Sequence, residues 1–250
     1  MFFGCKNMGF SYGENKILKD INIEFEKGEF TGLVGDNGSG KSTLMKIMSG
    51  IFTEYDGEVV FKEESLNEDT KIKVGYIFQN PENQIVGVTV EEDVAFGLEN
   101  IGTEREEMLR RIKWALEVVG LKGLEKSDPN SLSGGQKQRL AIASIVAMDP
   151  EVILMDEPTT MLDPVGRREV YKVIKRLVNL GKTIIIASHH SADLEEVSRI
   201  VALKDGKVHF DGKRDEFYKN HDFNIEYPIE FEIKKKINKN YDELVKYLGD

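Results

Sequence analysis

The chain has 250 residues, with 34 Lys and Arg against 44 Asp and Glu, a formal charge of −10. A chain of this length buries roughly 70–75% of the surface its unfolded form exposes, so it needs no disulfide or metal staple and reads as one large domain or one domain with subdomains. An apolar fraction of 40% beside 31% charged residues is globular rather than disordered or fibrous, and the acidic balance excludes a surface built throughout to hold DNA or RNA. The single cysteine, Cys5, cannot form an intramolecular disulfide, which fits a reducing compartment. Met1–Lys6 carries no basic stretch ahead of a long apolar run, so no signal peptide is expected. The most apolar run, Leu140–Met148, falls far short of the roughly 20 residues that cross a bilayer. Any membrane role is therefore expected to be peripheral and mediated by partners.

In chain order, the first residues read as strands joined by tight turns. Ile21–Phe25 alternates apolar and polar side chains, and Glu26–Glu29 is a turn. Phe30–Val34 is a short apolar strand ending at Gly35, and Ser42–Ser49 is helical, with Leu44, Ile47 and Met48 on one face. Gly57–Phe61 and Lys73–Phe78 read as further strands. From Val90 the period changes: Glu91–Glu99 and Glu104–Val119 are helical, the second with Met108, Ile112, Ala115, Leu116 and Val119 in one stripe and Gly120 as its stop. Ser133 is placed to cap a helix that runs to about Met148, before Asp149-Pro150. Val152–Met155 and Thr183–Ala187 have the β-branched apolar character of buried parallel strands, separated by a helix over Val165–Leu180. Ile200–Leu203 and Lys207–Phe210 flank a hairpin turn at Lys204-Asp205-Gly206. A charged tail with an amphipathic helix over Tyr241–Leu248 follows.

Gly35-Asp36-Asn37-Gly38-Ser39-Gly40-Lys41-Ser42 fits GxxxxGK[ST], between a strand and a helix as that motif requires. Glycines let the backbone turn its N–H groups onto phosphate oxygens, and the helix start adds a favourable dipole. Lys41 supplies a point charge for β- and γ-phosphates, and the Ser42 hydroxyl is placed for Mg²⁺. A second element, Val152–Glu157, is an apolar strand ending in two carboxylates. Asp156 is placed to hold Mg²⁺ through its water shell, and Glu157 to polarise the water that attacks the γ-phosphate. A third, Leu132-Ser133-Gly134-Gly135-Gln136, is a second anion-binding helix start. One triphosphate has little use for two, so the economical reading is that this one grips a nucleotide held by another copy.

On these three motifs the chain resembles the ATP-binding-cassette (ABC) ATPases over about residues 2–212. The resemblance implies an α/β fold: a P-loop NTPase core with an antiparallel β lobe and a helical subdomain at about 88–145, plus a small C-terminal extension at 213–250. It implies ATP contacts from Tyr12, which matches the aromatic that stacks on adenine, and from Gly35, Asn37, Gly38, Ser39, Gly40, Lys41, Ser42 and Thr43. Gln79 matches the glutamine that touches Mg²⁺ and the attacking water, so the metal set is Ser42, Gln79 and Asp156, and the catalytic set is Glu157, His189 and Gln79. Leu132, Ser133, Gly134, Gly135 and Gln136 match the signature that meets the partner's nucleotide, and Leu162 and Asp163 the loop that crosses the dimer interface. Where the family usually carries Asp after its histidine, this chain has His190; His189 is taken as the nucleotide-facing ring because it follows the strand directly.

Phe78–Val86, with its Gln-Asn-Pro-x-x-Gln form, and Val90–Gly97 resemble the energy-coupling-factor importers, as does Pro158–Pro164. That branch implies uptake of a vitamin or transition-metal ion at the cytoplasmic face of the cell membrane. The implied partners are a second ABC ATPase, identical or paralogous, a transmembrane scaffold and a small membrane substrate-binding protein, with no nucleic acid. Asn80, Pro81 and Gln84 would then meet the scaffold's coupling helices, and Tyr227-Pro228-Ile229 with the last helix would add to the dimer contact. Rival readings are an ABC ATPase of another importer or exporter, a non-transport regulatory cassette, a small-molecule kinase and a chromosome ATPase. A kinase has no use for Leu132–Gln136. A chromosome ATPase separates its motifs by a long coiled coil, whereas only 156 − 41 = 115 positions separate Lys41 from Asp156.

Overall fold

The computed structural model describes residues 1–220 together with Phe223, Phe231 and Ile233. Tyr227-Pro228-Ile229 and the helix expected over Tyr241–Leu248 lie outside the described residues. Among those described, no helix is long and apolar enough to cross a membrane.

Two sheets form. In the first, β1 (Phe3–Tyr12) pairs with β2 (Asn15–Phe25) as a hairpin, and β4 (Asp56–Phe61) pairs on the other side of β1, with the short β5 (Glu64–Ser65) at the edge. All of these pairings are antiparallel. The sequence pattern shows only the end of β2 because the period of two is interrupted. The β1–β2 register shifts between Cys5 and Met8 and again before Phe10 and Ser11, and Asn7 and Asp20 sit at φ 49° and 58°. Each such bulge moves the following side chains to the other face. The β4–β5 turn is hidden for a related reason: Lys62 and Glu63 adopt φ 50° and 67°, where glycine or asparagine is the usual signal.

The second sheet has the order β10-β9-β3-β8-β7-β6. It comprises β3 (Phe30–Gly35), β6 (Val74–Ile77), β7 (Val152–Asp156), β8 (Thr183–Ala187), β9 (Arg199–Lys204) and β10 (Lys207–Lys213). β10 is antiparallel to β9, and the other neighbours are parallel. The apolar strands alternate between two cores. Ile153, Met155, Ile184, Ile186, Ile200 and Ala202 face one. Val152, Leu154, Ile185, Ala187, Val201 and Leu203 face the other, which also takes in the first sheet and α1 (Lys41–Met48). This two-sided burial is why the strands read as continuous apolar runs.

The first core is closed by α2 (Val90–Asn100), α3 (Arg105–Val118), α4 (Gly134–Ala147) and α5 (Pro164–Asn179). A capping box between Thr89 and Glu92 starts α2, and Asp163 caps α5 with Pro164 in its first turn. The C-terminal half of α4 is the most apolar run of the chain because that helix touches α2, α3, α5 and β6 at once. It presses so closely on β6 that a Cβ at Gly75 would lie 2.3 Å from Ile145 Cγ2. The last described helix, α6 (Arg214–Asn220), packs on β9 and β10.

Candidate nucleotide site

The loop between β3 and α1 is shaped by two glycines. Gly35 and Gly40 have φ 148° and 102°; a Cβ at Gly35 would lie 2.3 Å from the Leu203 carbonyl oxygen, and one at Gly40 2.7 Å from Leu18 Cδ2. No side chain caps α1, and no acidic residue stands in its first turn. The first N–H groups of a helix have no intrahelical partner, so this end is suited to an anion. Lys41 is buried and donates to the Gly35 and Asp36 carbonyl oxygens at 2.8 and 3.1 Å. Burial pulls its ammonium below the usual lysine range, while the carboxylates of Glu157, Asp156 and Asp36 push the other way.

β7 delivers two carboxylates to the same place. Ser42 Oγ donates to Asp156 Oδ1 at 3.0 Å, and the buried phenol of Tyr76, from β6, donates to Oδ2 at 2.8 Å. Burial, and then the Asp156 charge, push the Tyr76 phenol far above its ordinary range, so it remains the donor. Glu157 leaves the strand at φ 47°, and its N–H donates to the Ala187 carbonyl at the end of β8 at 2.9 Å. Thr160 Oγ1 donates to Glu157 Oε2 at 3.0 Å, Gln79 Nε2 at 3.4 Å, and His189 Nδ1 lies 3.4 Å from the same oxygen. Loops from β6, β7 and β8 thus converge on one carboxylate.

These groups open into a cavity of about 580 Å³ whose walls include Tyr12, Asn37, Gly38, Gly40, Lys41, Ser42, Thr43, Gln79, Glu157 and His189. Ile17 and Thr160 join them; neither is singled out by sequence, and nor is Tyr76. Tyr12 is half exposed and stands edge-on to Phe10 and Phe52, with ring centroids 4.8 and 6.2 Å away. The two histidine rings lie 4.2 Å apart between centroids but meet different partners. His189 lines the cavity, whereas His190 Nε2 lies 3.4 Å from Arg167 Nη2 on α5, and the His190 N–H donates to Ser188 Oγ at 3.0 Å. Gly35, Ser39 and Asp156 lie beneath the walls, Gly35 and Asp156 in contact with Lys41 and Ser42.

Ser133, Gly134, Gly135 and Gln136 are not in that cavity. They line a second one, of about 430 Å³, with Leu162, Asp163, Met161 and Val165. Ser133 caps α4 by accepting from the Gln136 N–H at 3.3 Å, and Gln136 Oε1 accepts from the Ser133 N–H at 2.9 Å. Leu132 anchors the turn in the core. The starts of α4 and α5 cross at two glycines: a Cβ at Gly135 would sit 2.8 Å from Gly166 Cα. Asp163 Oδ1 accepts from the Gly166 N–H at 2.7 Å.

The segment after Gln79 is built to hold a loop. Pro81 is buried, and the Asn80 side chain accepts from the Glu82 N–H at 3.0 Å. Gln84 is committed inward: its oxygen accepts from the Phe78 N–H at 3.3 Å and its amide donates to the Ala141 carbonyl at 2.9 Å. The buried Asp93 Oδ1 accepts from the Val86 and Gly87 N–H groups at 2.7 and 3.0 Å, and its other oxygen from Ser144 Oγ at 2.7 Å. The apolar side chains left outward are Val86, Val88 and Phe96.

Residues 18–160 match the ABC transporter family profile. With the two sheets, the helical layer and this loop, the match defines the class: the chain belongs to the ABC transporter family, and is an ATP-binding, ATP-hydrolysing subunit. It is 46% identical to the energy-coupling factor transporter ATP-binding protein EcfA1 of Thermotoga maritima, over 93% of this chain and 90% of that one. It is 45% identical to the protein of the same name from Caldanaerobacter subterraneus, over 93% and 84%. Among ABC proteins it is therefore an energy-coupling-factor type ATPase. The solved structure of cbiO1 from Clostridium perfringens, part of the ABC transporter complex cbiONQ, superimposes with a TM-score of 0.81 at 30% identity, over 100% of this chain and 99% of that one. The ATP-binding cassette MJ0796, solved as a dimer in a post-hydrolysis state with ADP and Pi, gives a TM-score of 0.73 at 33% identity, over 84% and 98%.

Proposed function

We propose that two such ATPase chains close head to tail around two ATP molecules at the cytoplasmic face of the cell membrane, and that closure and reopening drive a transmembrane scaffold importing a vitamin or a transition-metal ion. The observation that carries this reading is the pair of separate cavities in one chain. One gathers Lys41, Ser42, Gln79, Glu157 and His189, and the other gathers Ser133–Gln136 with Leu162 and Asp163. Each is half of an anion site, and a head-to-tail pair completes both.

In each composite site Tyr12 stacks on the base, the N–H groups of Gly38 to Thr43 hold the phosphates, and Lys41 releases its two loop carbonyls to meet the β- and γ-phosphates. Ser42, Asp156 and Gln79 fit Mg²⁺: all three offer hard oxygen, and Ser42 Oγ already lies 3.0 Å from Asp156 Oδ1. When bound, the metal neutralises phosphate charge as it develops. Glu157 accepts the proton of the attacking water, Gln79 orients that water, and His189 contacts the γ-phosphate. From the second chain, the helix start at Ser133–Gln136 supplies N–H groups and a positive dipole end to the same γ-phosphate.

The scaffold groove is assigned to the loop beside Asn80, Pro81 and Gln84. Gln84 acts there as a tie between the end of β6 and α4, while Val86, Val88 and Phe96 offer the apolar contact. A loop tied at Ala141 to the middle of α4, whose start holds Ser133–Gln136, suits a part that relays dimer closure to the membrane. The tail from residue 213 adds to contact between the ATPases. That the cbiO1 relative is part of the ABC transporter complex cbiONQ supports a membrane assembly of this kind. Affinity purification of the tagged chain from mildly solubilised membranes, with every subunit identified, tests the reading. A second ATPase, a multispanning scaffold and a small membrane protein are expected; recovery of the chain without membrane subunits would contradict it.

A further inference from the structure

Asp193 is fully buried, in the short turn Ser191–Leu194 that follows the two histidines. It lies outside the cavity walls, and no cation is paired with it among the described residues. Its Oδ2 is the meeting point of two loops: Thr159 Oγ1 donates to it at 2.6 Å and Ser188 Oγ at 2.7 Å. Thr159 is two residues beyond Glu157, and Ser188 immediately precedes His189. The Ser188 oxygen in turn accepts from the His190 N–H at 3.0 Å. One carboxylate oxygen therefore fixes both residues that flank His189 and the loop that carries Glu157 and Thr160. Both hydroxyls are themselves buried, so neither has water as an alternative partner.

This arrangement bears on an awkward piece of backbone. Glu157 is held at φ 47°, a conformation that a non-glycine residue keeps only where its surroundings over-determine it. Its N–H bond to Ala187 fixes one side of the turn, and the Thr159–Asp193 bond fixes the other. We propose that Asp193 is a positioning residue for ATP hydrolysis: it clamps the loop after β7 to the loop after β8, so that Glu157 Oε2 and His189 Nδ1 stay 3.4 Å apart. This rests on Glu157 and His189 carrying the chemistry. Asp193 is not among the residues that line the nucleotide cavity, so its loss acts on turnover through those two side chains and leaves ATP binding at the β3–α1 loop intact.

The test uses the full chain, with steady-state ATP hydrolysis, equilibrium binding of ATP and thermal melting measured for each variant. Thr159→Val and Ser188→Ala, which each delete one hydroxyl, are expected to lower kcat by about tenfold, the scale of one buried hydrogen bond to a charged group. Asp193→Ala is expected to lower it further, with the ATP Kd unchanged within about twofold. Asp193→Asn keeps an oxygen that accepts from both hydroxyls and is expected to stay within about threefold of the parent. In a Ser188→Ala background, Asp193→Ala is expected to cost less than it does alone, because the two act in one network. The inference is overturned if Thr159→Val and Ser188→Ala turn over normally, or if kcat and ATP affinity fall together in step with melting temperature. Glu157→Gln and His189→Ala are the controls: should either hydrolyse ATP normally, the underlying reading fails instead.

Discussion

Tyr76→Phe removes one oxygen atom from the interior and nothing else. The phenol donates to Asp156 Oδ2 at 2.8 Å, and both residues are buried. Without it, Oδ2 has no donor among the described residues and Asp156 retains only Ser42, on Oδ1. A hydrogen bond to a charged group is worth about 1.5–3 kcal/mol, and stranding its acceptor in the interior costs on that scale. For a chain of this size about 2–4 °C of Tm accompanies each kcal/mol, so the nucleotide-free variant is expected to melt about 3–12 °C lower. The deficit should shrink with Mg·ATP bound, because Asp156 then gains a partner. If about half of the lost energy is recovered on metal binding, the Mg²⁺ midpoint for hydrolysis falls about threefold to tenfold. The raised phenol pKa sets the pH behaviour. A group whose folded pKa is raised contributes stability fully present below its ordinary 10.0 and lost as the pH rises beyond it, so the difference between parent and variant should be flat from about pH 6 to pH 9. The assays are thermal melts with and without Mg·ATP, and ATPase rate against free Mg²⁺ at saturating ATP. A variant with the parental Tm and the parental Mg²⁺ midpoint would refute the reasoning.

Gly135→Ala and Gly134→Ala should separate sharply in thermal melts. A Cβ at 135 meets Gly166 Cα at 2.8 Å, and overpacking of this kind costs about 1–3 kcal/mol, whereas one at 134 meets only Leu162 Cδ2, at an ordinary 3.6 Å. Cys5 is buried, and desolvation pushes its thiol from 9.0 up to about 12. It should therefore resist iodoacetamide at pH 9 in the folded chain and react promptly once unfolded. The same shift favours folding fully below pH 9, and that contribution is lost as the pH rises from 9 towards 12. A stability curve from pH 8 to pH 11, compared between the parent and Cys5→Ala, checks the sign.

Motifs whose chemistry is local in the chain were legible from sequence. The loop Gly35–Ser42 carries its own glycines and helix start, so its spacing alone predicts a phosphate cradle, and Ser133 predicts the capped start of α4. The parallel strands were legible because burial on both faces leaves a continuous apolar run. The bounds of β1 were not, since its bulges scramble the period of two, and the β4–β5 turn was not, since Lys62 and Glu63 take positive φ without glycine. Tyr76 and Asp193 were invisible for a different reason. Each acts through a residue brought to it by the sheet: Tyr76 meets Asp156 across 80 positions, and Thr159 meets Asp193 across 34. Gln84 illustrates the converse. Its place in a recognisable motif predicted a contact for a partner, but its amide is spent between Phe78 and Ala141, and the apolar neighbours Val86 and Val88 are the ones turned outward.

Glu157→Gln tests the proposed chemistry most directly. The substitution keeps the shape and the hydrogen-bond reach of the side chain while removing its capacity to accept a proton. Turnover is expected to fall by at least about a hundredfold, the scale of a lost general base, while ATP stays bound and a two-chain assembly accumulates in its presence. The measurement is ATP hydrolysis together with size-exclusion chromatography and quantified bound nucleotide. Normal hydrolysis by the variant would contradict the proposed role of Glu157, and a tightly ATP-bound but monomeric variant would contradict the shared site.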